Sequence, residues 1–61
     1  MSQLNQIELQ NLRHLIGAHE TAYQKLQAYA EQATDPEIKQ FFQEGAQGAM
    51  KTKQELLGFL S

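Results

Sequence analysis

The chain has 61 residues, no cysteine and a formal net charge of −2, which allows one domain and excludes disulfides and thiolate metal sites. Its five basic residues, Arg13, Lys25, Lys39, Lys51 and Lys53, are scattered among seven acids, and this excludes the clustered positive charge that nucleic acid or an anionic membrane selects. A core this short supplies roughly 3–5 kcal/mol without a staple, so oligomerisation is the staple left to expect.

The first residues, Met1 to Gln6, carry neither a basic nor an apolar signal region. Apolar residues come spaced, and never in a run long enough to span a bilayer. A soluble intracellular protein is expected, with no membrane partner.

The first helix is expected over about residues 6–33. Asn5-Gln6-Ile7-Glu8 fits a capping box, with Leu4 and Leu9 at the two positions of a hydrophobic staple. Ser2 is an alternative cap one turn earlier. Leu9, Leu12, Ile16, His19, Tyr23, Leu26, Ala30 and Ala33 then alternate in steps of three and four, the spacing of one long contact seam. The polar face reads Arg13, Gly17, Glu20, Gln24, Gln27 and Glu31. At about 1.5 Å per residue this helix is roughly 42 Å long.

Asp35-Pro36 separates the helices. Thr34 and Asp35 both qualify as the second N-cap. Thr34 would put Asp35 in helical geometry directly before proline, which is sterically disfavoured. Asp35 as cap, with Pro36 at the first helical position, avoids the clash. A turn over residues 34–35 forces the helices antiparallel and adjacent.

The second helix is expected over about residues 36–60. Glu37, Gln40, Glu44, Gln47, Lys51, Gln54 and Gly58 make its polar line. Its apolar face is broad, running from Ile38, Phe41 and Phe42 through Gly45, Ala46 and Ala49 to Leu56, Leu57, Phe59 and Leu60, with Met50 and Thr52 in its middle. Folding about the turn sets residue n near 69 minus n: Leu12 opposite Leu56 and Leu57, Ile16 opposite Thr52 and Lys53, Tyr23 opposite Gly45 and Ala46, Leu26 opposite Phe42, Ala30 opposite Ile38. The small run Gly45 to Ala49 faces the bulky His19 and Tyr23. Gly45 and Gly48 would together cost about 2 kcal/mol against alanine, a cost understandable if backbone approach or ring insertion is needed there.

This pairing leaves apolar residues over, with Leu15 and Tyr29 on the first helix and Phe41, Met50, Leu57 and Leu60 on the second as candidate interface positions. A monomer exposing them all would be unusual. A twofold homodimer of hairpins, packed as a four-helix bundle, covers both stripes. The expected fold class is therefore all-α: an antiparallel two-helix hairpin that completes a bundle by dimerisation.

Catalytic apparatus is not visible. There is no phosphate loop, no nucleophile–base constellation and no basic helix for a groove, so neither an enzyme nor a cofactor is expected. A carboxylate di-iron site needs Glu-x-x-His on inward faces. Here Glu8 leads to Asn11, Glu20 to Tyr23 and Glu44 to Gln47, and the inner seams are read as free of acid. His14 and His19, five apart, lie on different faces. His19 is the one ionisable ring in the seam. It reads as a core histidine bonded across the hairpin to Thr52, or as a ligand or proton carrier. In a twofold dimer, two copies of His19 close together would form a pH-sensitive point. His19, Tyr23 and Thr52 are thus the candidate polar or ligand positions. His14 is expected near Glu55, in a weak surface contact.

The pattern Leu12-Arg13-His14-Leu15-Ile16-Gly17-Ala18-His19-Glu20, then Tyr23 and Leu26, then Ala33-Thr34-Asp35-Pro36-Glu37-Ile38, Phe42 and Lys53-Gln54-Glu55-Leu56-Leu57, resembles small coat-F-type proteins of endospore-forming bacteria. The most compact element of that likeness is the Asp-Pro-Glu-Ile turn followed by an aromatic residue. The resemblance implies a ferritin-like bundle and a non-enzymatic, spore-associated structural role, with this chain as a half-bundle and a cytoplasmic or spore location. The other reading is a small adaptor or regulatory hairpin that docks on a larger partner. A metal- or ligand-binding bundle using His19 and Tyr23 is the third.

Overall fold

The computed structural model describes residues 4–60. Two helices, α1 (Gln6–Gln32) and α2 (Pro36–Gly58), fold back on one another. Among the described residues there is no strand. The hairpin measures 46 × 16 × 11 Å, so it is a single layer of two helices. No helix is long and apolar enough to cross a membrane among the described residues.

Local chemistry sets each end. Asn5 closes a complete capping box: Glu8 N–H donates to Asn5 Oδ1 at 2.7 Å, and Asn5 N–H donates to Glu8 Oε1 at 3.1 Å. Two N-terminal amides that no helical carbonyl reaches are thereby satisfied. The competing cap, Ser2, lies outside the described residues. At the turn Asp35 is the cap. Its Oδ1 accepts from Glu37 N–H at 2.8 Å and Ile38 N–H at 3.1 Å, with Pro36 in the first turn. Asp35 is extended (φ −78°, ψ 123°), as the residue before proline must be. α1 stops at Gln32, with Ala33 extended as its C-cap and still donating to Tyr29 C=O at 3.0 Å. The connection is thus Ala33 to Asp35, one residue longer than expected.

α2 ends two residues before the expected position 60. Phe59 N–H bonds Leu56 C=O at 3.1 Å and Leu60 N–H bonds Leu57 C=O at 3.0 Å. These i to i−3 bonds tighten the last turn in the 3₁₀ manner. Gly58 does not take a left-handed φ, so the glycine stop common at helix ends is not used here.

All eight seam positions of α1, from Leu9 to Ala33, are buried or half-buried. Against them α2 sets Phe42, Ala46, Ala49, Lys53 and Leu56. The register differs from the folding rule by about two residues. Leu26 lies against Gly45, and the Tyr29 and Phe42 rings meet with centroids 5.6 Å apart. The cause is side-chain lean. Side chains tilt toward the N-terminus of their helix, which on α1 is away from the turn and on α2 toward it. Each helix therefore reaches a partner one step further along, on both sides.

Gly45 is where the close approach occurs. A Cβ there would meet Leu26 Cδ1 at 3.3 Å, whereas nothing lies within 4 Å of one built at Gly17 or Gly48. The tight spot is filled by an aliphatic side chain, not by the Tyr23 or His19 ring, and Gly48 has no close neighbour within the hairpin.

Three substitutions test these contacts. Gly17→Ala, on an open polar face, should stabilise the hairpin by about 1 kcal/mol. Gly45→Ala should gain less, because Leu26 must shift by a few tenths of an ångström. Asp35→Ala should cost about 1 kcal/mol. Urea unfolding followed by circular dichroism would read all three, and Gly45→Ala matching the Gly17→Ala gain would remove any role for close packing at Gly45.

Candidate functional site

Three features concentrate polar chemistry or exposed area: a cross-helix ion pair, a polar groove and an apolar face. The ion pair joins Lys53, on the α2 seam, to Glu20 on α1. Lys53 Nζ donates to Glu20 Oε1 at 2.5 Å. Glu20 Oε2 accepts from Gln24 Nε2 at 2.6 Å, one turn on. Both carboxylate oxygens are therefore engaged. The Lys53 hydrogen bond, then that of Gln24, hold the Glu20 carboxyl below its ordinary value of 4.5 against a smaller opposing effect of burial. The side chains are 33% and 25% exposed. The seam was expected to be free of acid, yet Glu20 is half-buried beside it. A lysine stem can lie along apolar surface with its head reaching outward, and this brings Glu20 in from the polar face. Lys53 does lie at the seam, as its pairing with Ile16 implies, and the length of its side chain carries the charge out to Glu20.

His19 is half-buried in the seam. Its Nδ1 lies 2.8 Å from Leu15 C=O, one turn back on its own helix. A carbonyl can only accept, so Nδ1 carries the proton. The expected bond to Thr52 is absent from the described residues, although Thr52 is also half-buried. The Leu15 carbonyl, one turn back, supplies the partner locally. Tyr23 behaves in the same way: its hydroxyl accepts from Gln27 Nε2 at 2.8 Å. His19, Tyr23 and Thr52 thus share the seam, and no hydrogen bond links them. Among the described residues no three His, Asp or Glu side chains come together as a metal group would require. His14 is exposed, with no bond to Glu55 among the described residues.

The two broad faces of the layer differ in chemistry. One carries an open groove of about 740 Å³ lined by Tyr23 and Gln27 of α1 and Gln43, Gln47, Met50 and Gln54 of α2. Four glutamines share that lining with three charged side chains, Glu31, Lys39 and Lys51. The other face is apolar. Leu15, Ala22 and Tyr29, seven apart, share one side of α1, and Ile38, Phe41, Gly45, Thr52 and Phe59 recur along one side of α2 at helical spacing. Tyr29, Phe42 and Phe41 form a ring cluster there near the turn, with Phe41 and Phe42 centroids 6.1 Å apart. Phe41 is 70% exposed, and Leu15, Tyr29, Ile38 and Phe59 are about half exposed.

The six expected interface positions are therefore divided. Leu15, Tyr29 and Phe41 lie on the apolar face. Met50 lines the groove, Leu57 follows it seven residues on, and Leu60 lies past the end of α2. Apolar residues off the seam fall on two opposite faces of the layer. The direction of each position around its helix axis separates them.

In comparisons with protein families, with curated proteins and with solved structures, nothing matches this chain.

The Glu20–Lys53 contact has a pH signature. A carboxyl with a depressed folded-state pKa stabilises the fold above its unfolded value, and that stabilisation is lost as pH falls through the folded value. The loss should therefore set in below about pH 4.5. Melting temperatures of the wild type and of Glu20→Gln between pH 7 and 3 check this. The wild-type advantage should shrink only in the acid range and weaken with added salt. An identical acid dependence in the two proteins would remove Glu20 as its source.

Proposed function

We propose that this hairpin is half of a homodimeric four-helix bundle with a non-enzymatic, structural or protein-interaction role. Its surface carries this reading. The chain exposes 4832 Å², whereas a compact folded protein of 6.9 kDa exposes about 4,000 Å². Folding alone would remove only about half of the roughly 10,000 Å² that the unfolded chain presents, below the ≈ 60% usual at this length. Only Leu12, Ala30 and Ala46 are buried among the described residues.

Assembly remedies that shortage. Two hairpins forming a compact dimer would bury on the order of 1,500 Å² each, which falls in the range of obligate interfaces. The resemblance to coat-F-type proteins gives the bundle a ferritin-like architecture and a context, the spore coat of an endospore-forming bacterium. An adaptor hairpin docked on a larger protein would cover the same surface. Lys25 stands on the α1 edge of the apolar face and Glu37, Glu44 and Glu55 on its α2 edge, all exposed, and this self-complementary pattern of charge favours a second copy.

Sedimentation equilibrium from about 1 to 100 μM tests the reading. A dimer whose melting temperature rises with concentration is expected, since association stabilises by mass action. A folded monomer throughout would refute it. A largely unfolded monomer would point to the adaptor.

A further inference from the structure

The two faces, together with the charges along their edges, restrict how a second copy can sit. We propose that the second copy seats on the apolar face with α1 of each chain against α2 of the other, both turns lying at the same end. This rests on the dimer reading and adds its geometry. Of the eight large apolar residues left exposed, Ile7, Leu15, Tyr29, Ile38, Phe41 and Phe59 point to this side, and none of them lines the groove. Seating a copy here leaves the polar groove open to solvent.

Hairpins packed face to face about a twofold axis have two arrangements. With the axis parallel to the helices, α1 faces α2 of the other copy and the turns coincide. With the axis across them, like helices face each other and the turns lie at opposite ends. The outer edges of the apolar face decide between these. Along α1 the edge carries His14 and Lys25. Along α2 it carries Glu37, Glu44 and Glu55, with Lys51 further round the helix. All of these are exposed.

With coincident turns, the levels of the two chains match as they do within one hairpin. Lys25 then stands within one turn of Glu44 of the other copy, and His14 within one turn of Glu55, offsets that their side chains can span. Tyr29 meets Phe41 and Phe42, and Ala22 meets the bare backbone of Gly48, which has no neighbour within its own hairpin. With opposed turns, the acidic edges of the two α2 helices would face each other, with Glu37 level with Glu55. Edge charges contribute little affinity but select among arrangements, because like charges brought together are penalised.

Two measurements test the geometry. Thr34 lies exposed in the turn with neither cap role, and the native chain has no cysteine, so Thr34→Cys takes a single spin label. The two turns then lie one layer spacing apart, about 10 Å, so pulsed dipolar spectroscopy of the labelled dimer should give a separation no longer than roughly 20 Å, the label arms included. A distance approaching the 46 Å long axis would overturn the arrangement while leaving the dimer intact. Absence of any intermolecular coupling, with a monomer in sedimentation, would overturn the dimer reading itself. The second measurement is a charge exchange. Lys25 and Glu44 lie on opposite outer edges of one hairpin, so they can meet only between copies. Lys25→Glu and Glu44→Lys should each weaken dimerisation several-fold, and the double variant should recover it. Equal weakening that the double variant compounds would overturn the pairing.

Discussion

A single layer of two helices has no interior, and every other property of this hairpin follows from that constraint. Two cylinders touch along one line. The line here is occupied by small or half-buried side chains, with Ala30 and Ala46 among the few that lose contact with water. Apolar width beyond the line must face outward, because no third element folds over it. Globular domains normally close two layers around a core. The proposed dimer supplies the second layer from an identical chain, which makes assembly part of folding.

The polar contacts belong mostly to one helix at a time. His19 bonds its own backbone, Tyr23 bonds Gln27, and Gln24 bonds Glu20. Lys53–Glu20 is the cross-helix exception among the described hydrogen bonds. Apolar seams tolerate sliding, since one aliphatic contact replaces another at little cost. A charge pair at one height does not, and a close approach such as Leu26 on Gly45 has one good position. These two contacts, about two turns apart along α1, define the register between the helices.

Much of this arrangement was legible in the residues. The three–four alternation from Leu9 to Ala33 identified the inner line of α1, since only one helix face repeats at that spacing. The steric conflict before Pro36 singled out Asp35 as the cap. What could not be read was set by side-chain reach and direction. A two-residue offset came from the lean of side chains along antiparallel axes. Lys53 drew Glu20 from the polar face because its stem is long and flexible. His19 and Tyr23 found partners four residues away on their own helix, which a search for cross-helix neighbours passes over. The separation of Met50 and Leu57 from Phe41 and Leu15 needs angles around each axis, and a list of apolar positions discards them.

The Asp35 cap also bears on the order in which structure forms. It fastens the start of α2 directly beside the end of α1, so the first cross-helix contact, Tyr29 on Phe42, closes a loop of only about a dozen residues. Each later contact closes a longer loop, up to Lys53 on Glu20, 33 residues apart. Loop-closure entropy grows slowly, by about 0.6 kcal/mol per doubling, and short-range contacts form fastest. The chain is thus built to zip from its turn toward its open end. The aromatic cluster forms early, and the end of the hairpin away from the turn closes last.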